Sequence, residues 1–330
     1  MKFKTAQDYI NGILDKNKVA LSKAITLIES TLPEHQKISQ EILPSIMPYT
    51  GKSIRLGVTG VPGVGKSTFI EALGIHIADK DHKVAVLAID PSSSVSGGSI
   101  LADKTRMEQL AACQNAFIRP SPSSTYLGGV AQKTRETMLL CEAAGFDTIL
   151  IETVGVGQSE TTVASMVDFF LVLMLPNAGD ELQGIKKGVL ELADAIVINK
   201  ADKQNSKQAL LAKNIYKNAM HILTPASNNW SPPVLTCSAL EFTGIDEVWN
   251  MIKNHNKIFN KTGELKARRQ EQSVSWMWTM LEDNLKMYLF NIPEVKEYIG
   301  KIKQKVKNST VSPTRAAEKI FKKVIDHVKI

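Results

Sequence analysis

A glycine-rich run from Gly60 to Thr68, GVPGVGKST, carries the clearest chemistry in this sequence. It matches the pattern G-x-x-x-x-G-K-[ST] and stands between an apolar stretch, residues 54–59, and a helical pattern from Thr68 to Ala78. Such a loop aims backbone N–H groups at a phosphate, and the helix that begins near Lys66 adds its positive dipole end. Lys66 brings a mobile charge to the outer phosphates, and Ser67 is placed to bind Mg²⁺. The residues predicted to contact the nucleotide here are Gly60, Val61, Pro62, Gly63, Val64, Gly65, Lys66, Ser67 and Thr68.

A second motif, Asn199-Lys200-Ala201-Asp202, follows the apolar residues Ala195–Ile198 and indicates which base is bound. The Asp202 carboxylate can accept two hydrogen bonds from the ring N–H and the amine of guanine, a donor pair that adenine lacks. Asn199 can bond the other edge of the base, and the Lys200 stem can lie across the purine plane. Downstream of a complete phosphate loop, this motif favours guanine over adenine. Base contacts are also expected from the end of the next strand, at Ser238, Ala239 and Leu240.

Carboxylates at strand ends predict a metal site beside the phosphates. Glu152 ends the apolar run Thr148–Glu152 and is followed three residues later by Gly155. A carboxylate at this place in nucleotide hydrolases steadies Mg²⁺, and the glycine N–H senses the γ-phosphate. The usual residue is Asp, so the longer Glu152 leaves direct ligation, ligation through water and activation of water all open. Asp90 ends another strand and is predicted as a further metal ligand.

Three more residues, Asp103, Lys186 and Lys187, are ambiguous from the sequence alone. Asp103 is either a metal ligand or an acidic residue in the first turn of a helix, which the helix dipole favours. Lys186 and Lys187 are either charges at the site or part of a solvated helix face.

Gln158 does not directly follow Gly155, where small GTPases place their water-positioning glutamine. Intrinsic hydrolysis is therefore expected to be slow and to depend on a partner.

Composition limits the class of protein. The 330 residues are 43% hydrophobic and 22% charged, with a net charge of +7, which is ordinary for a globular protein. The lysines are scattered, so a nucleic-acid partner is not predicted. The longest apolar run, Phe169 to Leu175, is too short to cross a membrane. Three separated cysteines, Cys113, Cys141 and Cys237, indicate a reducing compartment, and we expect a cytoplasmic protein.

The chain divides into three parts on its pattern. Residues 1–50 read as a helical extension that Pro33 and Pro44 break into pieces; residues 51–260 alternate strands and helices; residues 261–330 show only helical spacing. The middle part predicts an α/β P-loop NTPase fold with a mainly parallel sheet covered by helices on both faces. The predicted strands are Ile54–Thr59, Val84–Ile89, Ala116–Ile118, Thr148–Glu152, Phe169–Leu175, Ala195–Asn199 and Val234–Cys237. The last part, with new helices at Pro293 and Pro313, is either a lid or a dimerisation arm.

Taken together, six segments resemble the MeaB/ArgK-type GTPases, the chaperones of methylmalonyl-CoA mutase and related adenosylcobalamin-dependent acyl-CoA mutases. The segments are Gly60–Thr68, Asp90-Pro-Ser-Ser-Ser, Asp103–Met107, Glu152–Glu160, Ala178–Lys187 and Asn199–Asp202. The match spans nearly the whole chain, and Glu152 in place of Asp is part of the family pattern.

The resemblance implies a role for each site residue. Lys66, Glu152 and Lys186 would serve hydrolysis of GTP to GDP and phosphate, and residues 180–187 would form a third switch through which a mutase stimulates it. The implied Mg²⁺ network is Ser67, Asp90, Asp103 and Glu152. Family members are homodimers joined by C-terminal helices, which favours an arm over a lid. The chain has no Asp-x-His-x-x-Gly cobalamin motif, so adenosylcobalamin is expected only in the partner mutase.

Two other classes of function compete with this one. A nucleotide-dependent protein kinase of an amino-acid (lysine/arginine/ornithine) transport system would pass the γ-phosphate to a protein acceptor. A nucleic-acid binder would use the positive charge and ignore GTP, with binding that collapses in modest salt. The placement of the aromatic residues does not support the second.

Overall fold

The central element of the fold is a seven-stranded parallel sheet with the order β3-β2-β4-β1-β5-β6-β7. In this computed structural model the chain is described over residues 3–89, 107–121, 127–153, 159–176, 187–222 and 227–328. The strands are β1 Ile54–Gly60, β2 Val84–Ile89, β3 Ala116–Ser121, β4 Thr148–Glu152, β5 Phe169–Met174, β6 Ala195–Ile198 and β7 Val234–Thr236. The predicted parallel sheet is confirmed, and each strand end lies within three residues of its predicted position.

Helices cover the sheet and extend it at both chain ends. Those before β4 are α1 Ala6–Leu14, α2 Lys18–Glu29, α3 Pro33–Ile46, α4 Lys66–Ala78, α5 Glu108–Ala112 and α6 Leu127–Ala143. Those after β4 are α7 Ser159–Ala164, α8 Lys187–Glu191, α9 Ser206–Ile222, α10 Ile245–Thr262, α11 Glu264–Asn291, α12 Pro293–Lys307 and α13 Pro313–Val328. The predicted helix starts at Pro293 and Pro313 are confirmed, and among the described residues no strand follows β7.

One prediction about the first helices is wrong. Pro33 does begin α3, but Pro44 lies inside α3 and does not interrupt it. A proline removes one backbone N–H and usually breaks a helix interior. Here it lies in the last turn of α3, only two residues before Ile46, and a 3₁₀ turn, Met47–Tyr49, follows the helix directly. The loss is therefore confined to a helix end.

Burial explains why the strands could be recognised. All six residues of β5 and all four of β6 are buried, as expected for strands with helices on both faces. Leu56 and Val58 of β1 belong to the core beneath α4. On the opposite face, a Cβ at Gly57 would lie 2.8 Å from a Val163 methyl of α7, so β1 needs a glycine where that helix packs closely.

The chain forms two compact units, residues 1–272 and residues 273–330. In the first, the amino ends of β5 and β6 are anchored by ion pairs: Asp168 accepts two hydrogen bonds from Arg269, and Asp194 accepts two from Arg268. In the second, α12 packs on α13, with Val295, Ile302 and Ala316 buried. None of the helices in the described ranges combines the length and apolarity that crossing a bilayer requires.

A buried histidine in the first unit makes stability depend on pH. His255 is 1% exposed, and its ring packs against Phe169, Trp230 and Phe259. Burial, and then the charge of Arg268, lower its pKa to about 3, with Glu264 opposing; its Nε2 lies 3.8 Å from Asp194 Oδ1. Below about pH 6.5 the unfolded chain therefore binds one more proton than the folded chain.

We expect the free energy of unfolding to fall as pH drops from 7 to 5, with His255 contributing up to about 1.4 kcal/mol per pH unit. Urea unfolding at several pH values measures this slope. The variant His255→Phe should lose that contribution, whereas His221→Gln, at an exposed histidine on α9, should retain it. Equal slopes for wild type and His255→Phe would contradict the assignment.

Candidate functional site

The phosphate loop lies at the carboxyl end of β1, at the edge where ligands bind in parallel α/β sheets. Two glycines are needed for its shape. Gly65, which precedes α4, has a φ of 88°, and a Cβ there would lie 3.0 Å from the Asn199 amide nitrogen. A Cβ at Gly60 would lie 2.5 Å from the Leu173 carbonyl oxygen of the neighbouring strand β5. The loop therefore fits against β5 and Asn199 only without side chains at these two positions.

Lys66 and Ser67 open α4 and present their polar atoms to the loop and to β4. Lys66 Nζ donates to the Gly60 carbonyl at 2.8 Å, and Ser67 Oγ donates to Glu152 Oε1 at 2.9 Å. Burial lowers the pKa of Lys66, while the nearby charges of Glu152 and Glu160 oppose that shift. The ammonium group donates to neutral loop carbonyls here. It can move to phosphate oxygens when they are present, because charged oxygens are stronger acceptors.

The donor set beside Lys66 fits Mg²⁺. The Ser67 hydroxyl and the Glu152 carboxylate are hard oxygen ligands that converge next to the phosphate loop, and Mg²⁺ is typically bound by one or two carboxylates together with substrate phosphates. Three predicted residues, Asp90, Asp103 and Lys186, lie outside the described residues. The structure therefore brings together Lys66, Ser67 and Glu152 of the predicted metal and catalytic set.

A pair of buried hydroxyl groups escaped the sequence analysis. Thr153, directly after Glu152, donates through Oγ1 to Thr59 Oγ1 at 2.7 Å, and both residues are 1% exposed. Its backbone N–H donates to the Val58 carbonyl. The pair ties the end of β4 to the end of β1, so it fixes Glu152 relative to the phosphate loop. β1 and β4 are neighbours in the sheet but lie far apart in the sequence. No local sequence pattern therefore reveals this hydroxyl pair.

Removing this pair should affect both folding and hydrolysis. In Thr153→Val the Thr59 hydroxyl loses its buried partner, and we expect a loss of about 1–3 kcal/mol in the free energy of unfolding. A lower kcat for GTP should accompany it because Glu152 is no longer fixed. Urea unfolding and steady-state kinetics measure the two effects. Thr153→Ser keeps the hydroxyl and is the control; the pair has no role in positioning if both variants hydrolyse GTP like wild type.

The base-side residues converge at the ends of β6 and β7. Ser238 Oγ donates to the Asp202 carboxylate, and the same hydroxyl oxygen accepts the Glu241 N–H at 3.1 Å. Lys200 has a φ of 59°, which allows the chain to turn sharply between Asn199 and Asp202. Ser238 and Ala239 are buried, whereas Leu240 is 76% exposed.

Asn199 connects the base side to the phosphate loop. Its amide nitrogen donates to the Val64 carbonyl at 2.9 Å, and its amide oxygen accepts the Ala239 N–H at 3.1 Å. The Cys237 thiol lies 3.5 Å from the same oxygen, and Asn199 is 2% exposed. The asparagine thus joins two groups of predicted nucleotide ligands that lie far apart in sequence.

Within the phosphate loop itself, Pro62, Gly63 and Thr68 are exposed, and Val61 is half-buried.

Comparison with known proteins identifies the family. Residues 21–294 match the family model described as methylmalonyl Co-A mutase-associated GTPase MeaB. The chain belongs to the MeaB family. A relative from Escherichia coli, GTPase ArgK, is 50% identical over 309 residues, covering 94% of this chain and 93% of that protein. The family assignment and the observed phosphate loop agree: this member of the MeaB family is a P-loop GTPase that binds and hydrolyses GTP.

Two further MeaB-family comparisons extend the similarity. The mouse protein named methylmalonic aciduria type A homolog, mitochondrial, is 42% identical over 321 residues, which are 94% of this chain and 77% of the mouse protein. A crystal structure described as LAO/AO transport system kinase has a TM-score of 0.78 and 42% identity, covering 98% of this chain and 99% of that one. Nearly the whole chain therefore has a counterpart in a solved structure.

Proposed function

We propose that this GTPase is a chaperone of an adenosylcobalamin-dependent acyl-CoA mutase, of the methylmalonyl-CoA mutase type. The observation that carries the proposal is the hydrogen bond from Asn199 to the Val64 carbonyl, which connects the motif predicted to bind guanine to the phosphate loop. The chain in which it occurs belongs to the mutase-associated MeaB family. The names of the mouse relative and of the family model support the mutase as partner. Adenosylcobalamin would be bound by the mutase, not by this chain.

The chain's own residues would bind GTP and orient it for hydrolysis. Lys66 would leave the Gly60 carbonyl for the outer phosphates, and Asn199, Lys200 and Asp202 would hold guanine. Ser67 and Glu152, with Asp90 and Asp103, would bind Mg²⁺, which supplies charge stabilisation to the phosphates when bound. Lys186 would add positive charge from a third switch, residues 180–187. Excluding water from the partly buried cluster of Lys66, Ser67 and Glu152 would strengthen each of these interactions.

Hydrolysis would act as a timer for the mutase. A partner can respond to GTP or GDP only if it binds the two nucleotide states with different affinity. We propose that this difference gates cofactor loading or protects the mutase. We propose that the chain has three parts: a helical extension, residues 1–50, a GTPase domain, residues 51–260, and a helical arm, residues 261–330. The three cysteines, all free, agree with the cytoplasmic location expected from the sequence.

The arm is proposed to form a homodimer. Eight large apolar residues of α11 are exposed, Met287 and Phe290 among them. The other six recur at helical spacing: Val274, Met277, Trp278, Leu281, Leu285 and Tyr288. Light scattering after size exclusion should give twice the chain mass of 36.3 kDa. The double variant Trp278→Glu, Leu281→Glu should give the chain mass, whereas Glu282→Lys, at an exposed polar position, should not. A monomeric wild type would exclude the homodimer.

GTP turnover with and without a purified adenosylcobalamin-dependent mutase tests the proposal. We expect the mutase to raise kcat several-fold above a slow basal rate, and we expect no turnover from Lys66→Met in either condition. Serum albumin at equal concentration controls for nonspecific stabilisation. An unchanged rate over a range of mutase concentrations, together with no complex in size exclusion with either nucleotide, would reject the mutase as the partner.

The kinase alternative rests on one finding, the description of the similar crystal structure as LAO/AO transport system kinase. It predicts that radiolabelled γ-phosphate appears on a protein acceptor. Hydrolysis predicts that the label appears only as free phosphate. Incubation of the chain with labelled GTP and a membrane extract, followed by gel autoradiography, separates the two.

A further inference from the structure

The first unit contains a cavity of about 340 Å³ at the amino ends of the sheet strands. The nucleotide site lies at their carboxyl ends. Ala193 and Asp194, directly before β6, and Phe170 of β5 line the cavity, which sets its position. Its other apolar walls come from α7, α8, α9 and the segment before β7: Ala164, Leu190, Leu192, Met220, Trp230 and Pro232. Cavities of this size with mainly apolar walls are typical of small-molecule sites.

Arg268 gives the cavity a specific polar group. The outer edge of its guanidinium faces Asp194: Nη1 and Nη2 donate to the two carboxylate oxygens, each at 3.1 Å. Nη1 also donates to the Asp168 carbonyl oxygen. A guanidinium carries five N–H groups in a fixed plane. Within the described residues, Nε–H and the second Nη2–H have no protein acceptor. These two donors share one edge of the group, and the side chain is 26% exposed.

The surrounding charges decide what this edge can bind. Asp194 already neutralises Arg268, Glu264 is close enough to interact with it, and Glu191 and Glu271 lie on the cavity wall. His255, behind Trp230 and Phe259, is uncharged at neutral pH. A carboxylate ligand would add negative charge beside these acidic residues. An ammonium ligand carries only donors, so it could not accept the free N–H groups of Arg268. An uncharged carbonyl oxygen satisfies both donors without either penalty.

We propose that this cavity is a second ligand site, which binds a small uncharged carbonyl compound with an apolar body. The carbonyl oxygen accepts from the free edge of Arg268, and the apolar body packs on Leu190, Met220 and Trp230. An amide is the best match because its N–H groups can also donate to the wall carboxylate Glu271. The site differs from the nucleotide site in position and in every residue.

Binding of three six-carbon probes, hexanamide, hexanoate and hexylammonium, to the full chain tests the proposal by titration calorimetry or ligand-observed NMR. We expect saturable binding of hexanamide, with hexanoate and hexylammonium at least 10-fold weaker. Absence of saturable hexanamide binding up to tens of millimolar would overturn the proposal. So would equal binding of the acid or the amine.

Two variants separate the edge of Arg268 from the cavity walls. Arg268→Lys keeps the charge opposite Asp194 but loses the planar pair of donors, so hexanamide affinity should fall at least 10-fold. Met220→Trp fills the cavity and should also reduce it at least 10-fold, with basal GTP turnover unchanged. Leu210→Trp, on the exposed side of the same helix α9, is the matched control and should bind like wild type. Wild-type affinity in Met220→Trp would place the probe elsewhere and reject the site.

Discussion

Replacing Lys66 by Ala should reduce GTP affinity by about 100-fold or more and abolish measurable hydrolysis. The ammonium group is held at the phosphate loop by the Gly60 carbonyl at 2.8 Å and the Val61 carbonyl at 3.3 Å. Hydrogen bonds to charged groups contribute about 1.5–3 kcal/mol each, and 1.4 kcal/mol is a tenfold change in affinity. Titration with a fluorescent GTP analogue and a phosphate-release assay measure the two effects.

The variant is expected to remain folded. Burial disfavours the charged form of Lys66, so removing the ammonium group recovers that desolvation cost and offsets the lost attraction to Glu152 and Glu160. Lys66→Met, which retains most of the apolar stem, should behave like Lys66→Ala, and its melting temperature should stay close to that of wild type. Lys52→Ala, at an exposed lysine just before β1, should bind GTP normally. Wild-type hydrolysis by Lys66→Met would remove Lys66 from the site.

The second large effect is expected at Asp202, in the choice of base. One carboxylate oxygen of Asp202 accepts from Ser238, and we propose that this contact orients the carboxylate for the two donors of guanine. Asp202→Asn places an NH₂ group where guanine presents its own donors. We expect the ratio of GTP to ATP affinity to fall about 100-fold, since a lost charge-assisted bond and an unpaired donor together are worth about 3 kcal/mol.

Xanthosine triphosphate provides a gain-of-function control for the same variant. Xanthine carries a carbonyl where guanine carries its amine, so the amide NH₂ that Asp202→Asn introduces has an acceptor on this base. Binding of the xanthine nucleotide should improve in Asp202→Asn as GTP binding falls. Glu241→Gln removes an exposed carboxylate from the neighbouring loop and should leave the GTP preference intact. An unchanged guanine preference in Asp202→Asn would refute the role of this residue in base recognition.

The elements of the fold and the loop between β1 and α4 are local patterns, and sequence analysis recovers them. β2 and β4 have the bounds predicted for them, because a strand with helices on both faces reads as a continuous apolar run. Lys66 and Ser67 follow a strand and open a helix, as the loop pattern requires. The lysine and serine were therefore predictable from their immediate neighbours.

Contacts between distant segments could not be predicted in the same way. The Thr59–Thr153 hydroxyl pair depends on β1 lying beside β4, and the Asn199–Val64 bond joins residues 135 positions apart. Arg268 and Arg269 resemble ordinary polar helix residues until the sheet places Asp194 and Asp168 opposite them. Strand order is a property of the whole chain, and hydrophobic periodicity carries no information about it.

We propose that guanine and triphosphate bind at one site, which the two hydrogen bonds of the Asn199 side chain make continuous. A crystal structure with a non-hydrolysable GTP analogue and Mg²⁺ tests it most directly. We expect the base against Asn199 and Asp202, the phosphates along residues 60–67, and Lys66 Nζ moved from the Gly60 carbonyl to phosphate oxygens. A nucleotide bound elsewhere, or one whose base does not contact Asp202, would contradict this assignment of the site.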